Sequence, residues 1–187
     1  MRIIGGSLKG KKIDFIKSSI TRPLKDVVKE SIFNVIQHSN LIKLDLKNSS
    51  ILDLCSGVGS FGLESISRGA KDVTFVDNDS KALIVLKKNI NDLKINEKTT
   101  IFSKKIEDFI NNFKGKNKFN IVFLDPPFAE NFYIKDLELI KKSKICNSNN
   151  LVIIHREKKT NDKIDSCLST LLTKIYGRSK IIFGVLR

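Results

Sequence analysis

The chain has 187 residues, 34 of them Lys or Arg against 20 Asp or Glu, with 41% hydrophobic and 29% charged residues. That is too apolar for a disordered chain and too polar for a membrane protein, and the length fits one domain, with or without a small arm, that can bury a real core. No apolar run approaches the roughly 18 residues of a membrane span, and the opening Met1-Arg2-Ile3-Ile4-Gly5-Gly6 has no stretch of signal-peptide length. Cys55, Cys146 and Cys167 lack paired spacing, which argues against both a disulfide framework and a structural zinc site. A cytoplasmic globular domain without metal is expected.

Residues 1–20 mix short apolar runs with glycine and lysine and read as a small hairpin or extended arm. Thr21-Arg22-Pro23 is a helix-entry signal, and Val28, Ile32, Val35 and Ile36 predict a helix from Asp26 to about His38. After the polar Asn48-Ser49-Ser50, strands are predicted at Ile51–Leu54, Val73–Val76, Thr100–Phe102, Ile121–Leu124 and Leu151–Ile154. Helical patterns lie between them: within Gly57–Gly69, through Leu83, Leu86 and Ile90, along Ile106, Phe109, Ile110 and Phe113, and over Tyr133–Ile140. A further helix is expected over Ile164–Leu172, then two strands turning at Gly177. Alternation of this kind predicts an α/β fold: a Rossmann-like, doubly wound sheet with helices on both faces, a C-terminal antiparallel hairpin and a small N-terminal extension. The expected division is 1–48 as a basic arm and helix, and 49–187 as the main domain.

The net charge of +14 is unevenly placed: ten basic against four acidic residues in 1–50, sixteen against thirteen in 51–150, and eight against three in 151–187. Richness in Lys, Asn and Ile fits an AT-rich genome, but codon drift alone would spread the excess evenly. A basic arm on a nearly neutral centre points to a polyanion, because lysines and arginines that meet phosphates release counterions and steer encounter. Lys9, Lys11 and Lys12 are candidate phosphate contacts, whereas the lysines of 114–118 read as a solvated loop.

The first central strand runs into Asp53-Leu54-Cys55-Ser56-Gly57-Val58-Gly59-Ser60-Phe61-Gly62, which satisfies G-x-G-x-x-G in strand-to-helix context. Asp77 ends the next strand, where an acid can hydrogen-bond ribose hydroxyls. Both features suit any adenosine-type cofactor. Asp53 discriminates: beside the glycine turn it would repel a pyrophosphate, but it suits the ammonium and sulfonium of S-adenosylmethionine. The competing role for Asp53 is a cap on the loop backbone.

The fourth strand ends in Asp125-Pro126-Pro127-Phe128. Carboxyl ends of strands line the ligand crevice of such a sheet, so this segment and the glycine loop share one pocket. Consecutive prolines fix φ and present carbonyls that no ladder uses. Accepting the N–H bonds of a nucleobase amine with the Asp125 carboxylate and the Pro126 carbonyl would localise the nitrogen lone pair toward a methyl group. Phe128 can stack on the extruded base. Cys55, inside the cofactor loop, reads as a small loop residue and not as a nucleophile; His155 and His38 read as structural and surface residues.

These motifs resemble the RsmD-type 16S rRNA guanine-N2 methyltransferases of bacteria. The similarity spans Met1–Gly6 with Lys9–Lys12, Arg22-Pro23 with Asp26 and Glu30–Asn34, Leu52–Gly59, Gly62–Ser65 with Ser67–Ala70, Phe75–Asp77, and Phe123–Phe128. It implies S-adenosylmethionine as donor, S-adenosylhomocysteine as product, and a guanine of 16S rRNA in the 30S subunit or an assembly intermediate as target. Carried over by position, Asp53, Gly57 and Gly59 hold the methionine end, Asp77 the ribose, and Asp125 to Phe128 the target amine. Cys55, Ser56, Asn78, Lys105 and Ile106 complete the expected cofactor-binding set, and Arg2, Lys9, Lys11, Lys12, Arg22 and Lys25 are the expected RNA contacts. The chain departs from the family at Leu24 and Val27, and has Lys104-Lys105-Ile106 where relatives place an acid near the adenine; Glu107, Asp108 or the Ile106 backbone could take that part. A monomer is expected. Rival readings are an adenine-N6 methyltransferase, an NAD-dependent oxidoreductase and a non-catalytic RNA-binding assembly factor.

Overall fold

The computed structural model describes residues 1–16, 24–115, 118–127 and 132–187. In chain order these form α1 (Asp26–His38), β1 (Ser50–Leu54), α2 (Ser60–Ser67), β2 (Asp72–Asp77), α3 (Ser80–Leu93), β3 (Thr99–Ser103) and α4 (Ile106–Asn112). There follow β4 (Phe119–Leu124), α5 (Tyr133–Ser143), β5 (Cys146–Glu157), β6 (Leu168–Tyr176) and β7 (Ser179–Leu186). The seven strands make one sheet in the order β3-β2-β1-β4-β5-β7-β6. Strands β1 to β5 run parallel, and β7 lies antiparallel between β5 and β6. The chain winds outward from β1 through β2 to β3, then returns to place β4 on the other side of β1. That reversal opens a crevice at the carboxyl ends of β1 and β4.

Central strands are apolar on both faces because helices cover both. Ile51, Phe123 and Ile153 pack in one core cluster with residues of α1, α2 and α3. Leu52, Leu54, Val122, Leu124, Val152 and Ile154 pack in the other, with α4 and α5. The α/β sheet with helices on both faces and a C-terminal antiparallel hairpin is as the sequence pattern predicts, and α1 has the predicted bounds.

The expected helix over 164–172 is absent. Only a turn at Asp165–Cys167 remains of it, with the Cys167 amide donating to the Ile164 carbonyl at 2.9 Å, and Leu168 already begins β6. Strand β6 carries the β-branched Thr170, Thr173 and Ile175, and β7 offers it a ladder from Leu168–Leu186 to Tyr176–Ser179. Pairing with a neighbour outweighs the apolar spacing of a short run.

The N-terminal arm is a hairpin bridged at Arg2 and Lys12. Ile3 and Ile13 sink into the same cluster as α1, α2 and α3. Its polar anchor is Glu64 of α2, fully buried, which accepts the amides of Ile4 and Gly5 at 2.8 Å each and faces Arg68 at 2.7 Å and Lys29 at 3.5 Å. Burial pushes the Lys29 ammonium below its ordinary pKa, against the opposing pull of Glu64 and Asp26. Lys29 also donates to the Arg2 carbonyl at 2.7 Å, so one buried charge cluster fastens the arm to α1 and α2.

Candidate active site

The glycine loop is built from left-handed residues: φ is 54° at Cys55, 53° at Gly57 and 85° at Gly59. A Cβ on Gly59 would stand 2.4 Å from Leu86 Cδ1, and one on Gly62 would stand 2.3 Å from Phe75 Cε1, so these glycines let α2 close onto β2 and α3. At Gly57 a Cβ would meet nothing within 4 Å; there the left-handed φ, and not space, favours glycine.

The two acids of the loop both serve its backbone. Asp53 Oδ2 accepts the Gly62 amide at 3.0 Å, in the first turn of α2, so the capping role applies. Burial holds its carboxyl well above the ordinary range, Gly62 pulls it down, and the charges of Asp125 and Asp77 push it further up. Asp77 accepts from the Gly57 amide at 2.7 Å through Oδ2 and from the Asp79 amide at 2.8 Å through Oδ1. Asn78 beside it is exposed, as is Lys105, while Ile106 is half-buried at the start of α4.

Asp125 lies just past β4, its amide reaching the Leu54 carbonyl at 3.4 Å, so the ends of β4 and β1 adjoin as expected. Asp125 Oδ1 is 2.9 Å from His155 Nδ1, and His155 Nε2 is 2.9 Å from Ser179 Oγ. Among the described residues nothing donates to Asp125 Oδ2 or to the Pro126 carbonyl. The Pro127 carbonyl accepts from Arg156 Nη1 at 3.1 Å. Arg156 is fully buried, lies 4.4 Å over the Tyr133 ring and donates to Asp162 at 3.0 Å. Burial pushes the Asp162 carboxyl up, but bonds from Lys180, Tyr133, Thr160 and Arg156 outweigh it and hold it below the ordinary range. Adjacent residues of β5 therefore hold the two ends of Asp125-Pro126-Pro127, from opposite faces of the sheet. Phe128 lies outside the described residues, as does Arg22.

His155 is the residue that sequence reasoning missed. Leu124 pairs with Ile154, so Asp125 and His155 stand side by side one step beyond the last β4–β5 pair. The available signal was that each directly follows a predicted strand, Ile121–Leu124 and Leu151–Ile154.

Does the crevice suit the donor that the sequence pattern suggests? Asp77, Asp125, Asp136 and Asp53 all act on the Cys55 thiol, whose pKa is driven far up by burial first and by these charges second. A thiol held in that way is no nucleophile. The carboxylates of Asp77, Asp125 and Asp136 about this loop favour a cationic ligand and oppose a pyrophosphate. The Gly57 amide, a phosphate donor in dinucleotide sites, is already taken by Asp77. Ser56 Oγ is buried and has no partner among the described residues, which leaves a polar atom for a ligand to satisfy. The residues fit S-adenosylmethionine better than NAD. No group of acids, histidines and cysteines suited to a metal occurs among the described residues, and no helix there is long and apolar enough to cross a membrane.

The basic residues lie along the arm. Lys9, Lys11, Lys12 and Lys25 are exposed, and Arg2 is exposed but paired with Asp26 at 3.4 Å. Ser7 and Leu8, next to the lysines, bond to Ser67 at the far end of α2 from the glycine loop. An eight-residue helix spans about 12 Å, which separates this basic tip from the loop.

The family described as Conserved hypothetical protein 95 matches residues 1–185. The Haemophilus influenzae protein named ribosomal RNA small subunit methyltransferase D is 34% identical over 84% of this chain and 79% of its own length. Its namesake from Buchnera aphidicola (subsp. Acyrthosiphon pisum) is 33% identical over 84% of this chain and 78% of its own length. The solved structure of yhhF from Escherichia coli superposes with a TM-score of 0.84 at 26% identity, covering 100% of this chain and 98% of that one. Matched along nearly its whole length in both sequence and fold, this chain belongs to the Conserved hypothetical protein 95 family, the RsmD family.

Proposed function

We propose that this protein is an S-adenosylmethionine-dependent rRNA methyltransferase that modifies the exocyclic N2 amine of one guanine in 16S rRNA. The observation that carries this reading is Asp125: one carboxylate oxygen held by His155, the other facing no donor among the described residues, beside an unbonded Pro126 carbonyl and the carboxylate-lined loop. The names of the relatives supply the substrate class.

When bound, S-adenosylmethionine supplies a methyl group on a sulfonium and leaves as S-adenosylhomocysteine. The chain does the rest by position and charge. Asp125 Oδ2 and the Pro126 carbonyl accept the two amine hydrogens, which turns the nitrogen lone pair toward the methyl group. As the N–C bond forms, the amine gives up one proton to Asp125 or to water. Pro127, tied to Arg156, keeps the shelf rigid, and Phe128 supplies the stacking ring. Asp53, Cys55, Ser56, Gly57 and Gly59 line the methionine end, Asp77 and Asn78 the ribose, and Lys105 and Ile106 the adenine.

Residues 1–48 then serve as the RNA-contacting arm over the cofactor site and 49–187 as the methyl-transfer domain. Arg2, Lys9, Lys11, Lys12, Arg22 and Lys25 meet phosphates of a 30S particle or assembly intermediate, and one copy of the chain suffices, in the cytoplasm. The test is methyl transfer from labelled S-adenosylmethionine to 30S particles lacking the modification, with nucleosides separated by mass spectrometry. Label in N2-methylguanosine is the expected result. Label in N6-methyladenosine overturns the base assignment, bound cofactor without transfer overturns catalysis, and no cofactor binding overturns the donor.

A further inference from the structure

The β4–β5 junction carries a hydrogen-bonded chain that the proposed reaction does not yet use. Asp125 Oδ1, His155 Nδ1, His155 Nε2 and Ser179 Oγ are linked by hydrogen bonds of 2.9 Å and 2.9 Å. The His155 side chain is 9% exposed and that of Asp125 is 24% exposed, so the carboxylate is the member open to the crevice. We propose that His155 is a positioning residue for methyl transfer, locking the Asp125 carboxylate through Nδ1–H while Ser179, at the foot of the β6–β7 turn, fixes its tautomer. This rests on the reading of Asp125 given above.

The protonation pattern follows from donor counting. A carboxylate can only accept, so Nδ1 carries the proton. Nε2 of a neutral imidazole then accepts, and the Ser179 hydroxyl donates to it. Because Nδ1 already bears a proton, the ring nitrogen beside Asp125 does not take the one leaving the amine, and the remaining ring lone pair, on Nε2, is turned to Ser179. It acts by geometry. With Oδ1 engaged, rotation of the carboxylate about χ2 is arrested and Oδ2 keeps one direction, toward the base. The same bond order occurs in Ser-His-Asp hydrolases, where the serine meets the substrate. Here the carboxylate lines the crevice, and Ser179 is on β7, two strands away from β4. The C-terminal hairpin thereby gains a catalytic purpose beyond closing the sheet edge: its first β7 residue orients the site.

The test uses the full chain with 30S particles lacking the modification, and reads kcat, KM for the particle and cofactor Kd for His155→Leu, His155→Asn, Ser179→Ala, the Asn–Ala double variant and Asp125→Ala. Asparagine places Nδ2–H where Nδ1–H stands but offers nothing to Ser179. His155→Leu is expected to lower kcat by roughly 10- to 100-fold, the cost of a misdirected reacting group. Its KM and cofactor Kd stay within about threefold. His155→Asn recovers most of the loss. Ser179→Ala lowers kcat several-fold in the parent and has no further effect beside His155→Asn, a coupling that independent structural roles would not produce. If His155→Leu keeps kcat within about threefold while Asp125→Ala abolishes transfer, the positioning role is wrong and Asp125 stands. If Leu and Asn lose cofactor affinity and kcat alike, His155 is merely structural and the inference fails. If Asp125→Ala retains activity, the underlying reading of the site falls instead.

Discussion

Gly57 donates its amide to Asp77 Oδ2 at 2.7 Å, so the acid that suits a ribose also closes the glycine turn. Asp77→Ala would cost both a ligand contact and the shape of the loop that receives it. The expected result is a rise in cofactor Kd of roughly 10- to 100-fold, about one to two charge-assisted hydrogen bonds. Asp77→Asn, which keeps an acceptor for Gly57, loses less. Isothermal titration with S-adenosylhomocysteine measures both, and an Asn variant as weak as the Ala variant would show that charge, and not loop closure, is what Asp77 contributes.

Asp53 gives a pH dependence of unusual sign. Its carboxyl sits well above the ordinary range because burial opposes ionisation, aided by Asp125 and Asp77. Between the ordinary carboxylate pKa and the raised one, the folded chain holds a proton that the unfolded chain has released. Stability from this group therefore falls as pH rises through that window, by about 1.4 kcal/mol per pH unit at most. Asp53→Asn keeps an acceptor for the Gly62 amide and cannot ionise. The variant is expected to match the parent in Tm at pH 3 and to exceed it increasingly toward neutrality. Its cofactor Kd should stay close to the parent's, because the parent's carboxyl carries no charge in that window. Thermal melts from pH 3 to 8 without ligand decide the first point; a lower Tm at neutral pH would mean that the ionised carboxylate stabilises the loop.

What was legible in the sequence is local. Asp53 to Gly62 and Asp125 to Phe128 announce themselves because strand ends, glycines and prolines act on their own neighbours. His155 was hidden because its partner Asp125 is 30 residues away and is brought beside it only by the β4–β5 register. Glu64 stands inside a recognisable motif, yet the amides it accepts are about 60 residues upstream, and nothing in helical periodicity marks them. The segment Ile164–Leu172 misled for the converse reason: its apolar spacing is local, but its state is set by the ladder that β7 offers.

Glu64 also yields a stability prediction. Truncating it to Ala strands the amides of Ile4 and Gly5 and removes the nearest negative charge from the buried Lys29 ammonium. Breaking a buried pair on one side costs about 3–5 kcal/mol. The urea midpoint should fall accordingly, and trypsin should cut after Lys9, Lys11 and Lys12 sooner, because the hairpin has lost its anchor to α2. Mass analysis of timed digests reads the second effect. A variant with a lowered midpoint and unchanged digestion at the hairpin would assign Glu64 to the α1–α2 packing alone.

The exposed lysines of the hairpin make the nucleic-acid reading quantitative. Removing one lysine–phosphate pair should flatten the slope of log K against log salt by roughly 0.7–0.9. Lys9, Lys11 and Lys12 changed together to Gln should therefore reduce the slope by about 2–3 units and weaken binding to 16S rRNA fragments and 30S particles most at low salt. The three side chains are exposed, so fold stability should change little. Their distance from the glycine loop, about the length of α2, sets a second expectation. Cofactor Kd should be unaffected, and kcat at saturating particle should survive while KM rises. Filter binding across a salt series, paired with steady-state kinetics, separates the two. An unchanged slope would mean that the basicity of the arm reflects genome composition and that RNA is held elsewhere.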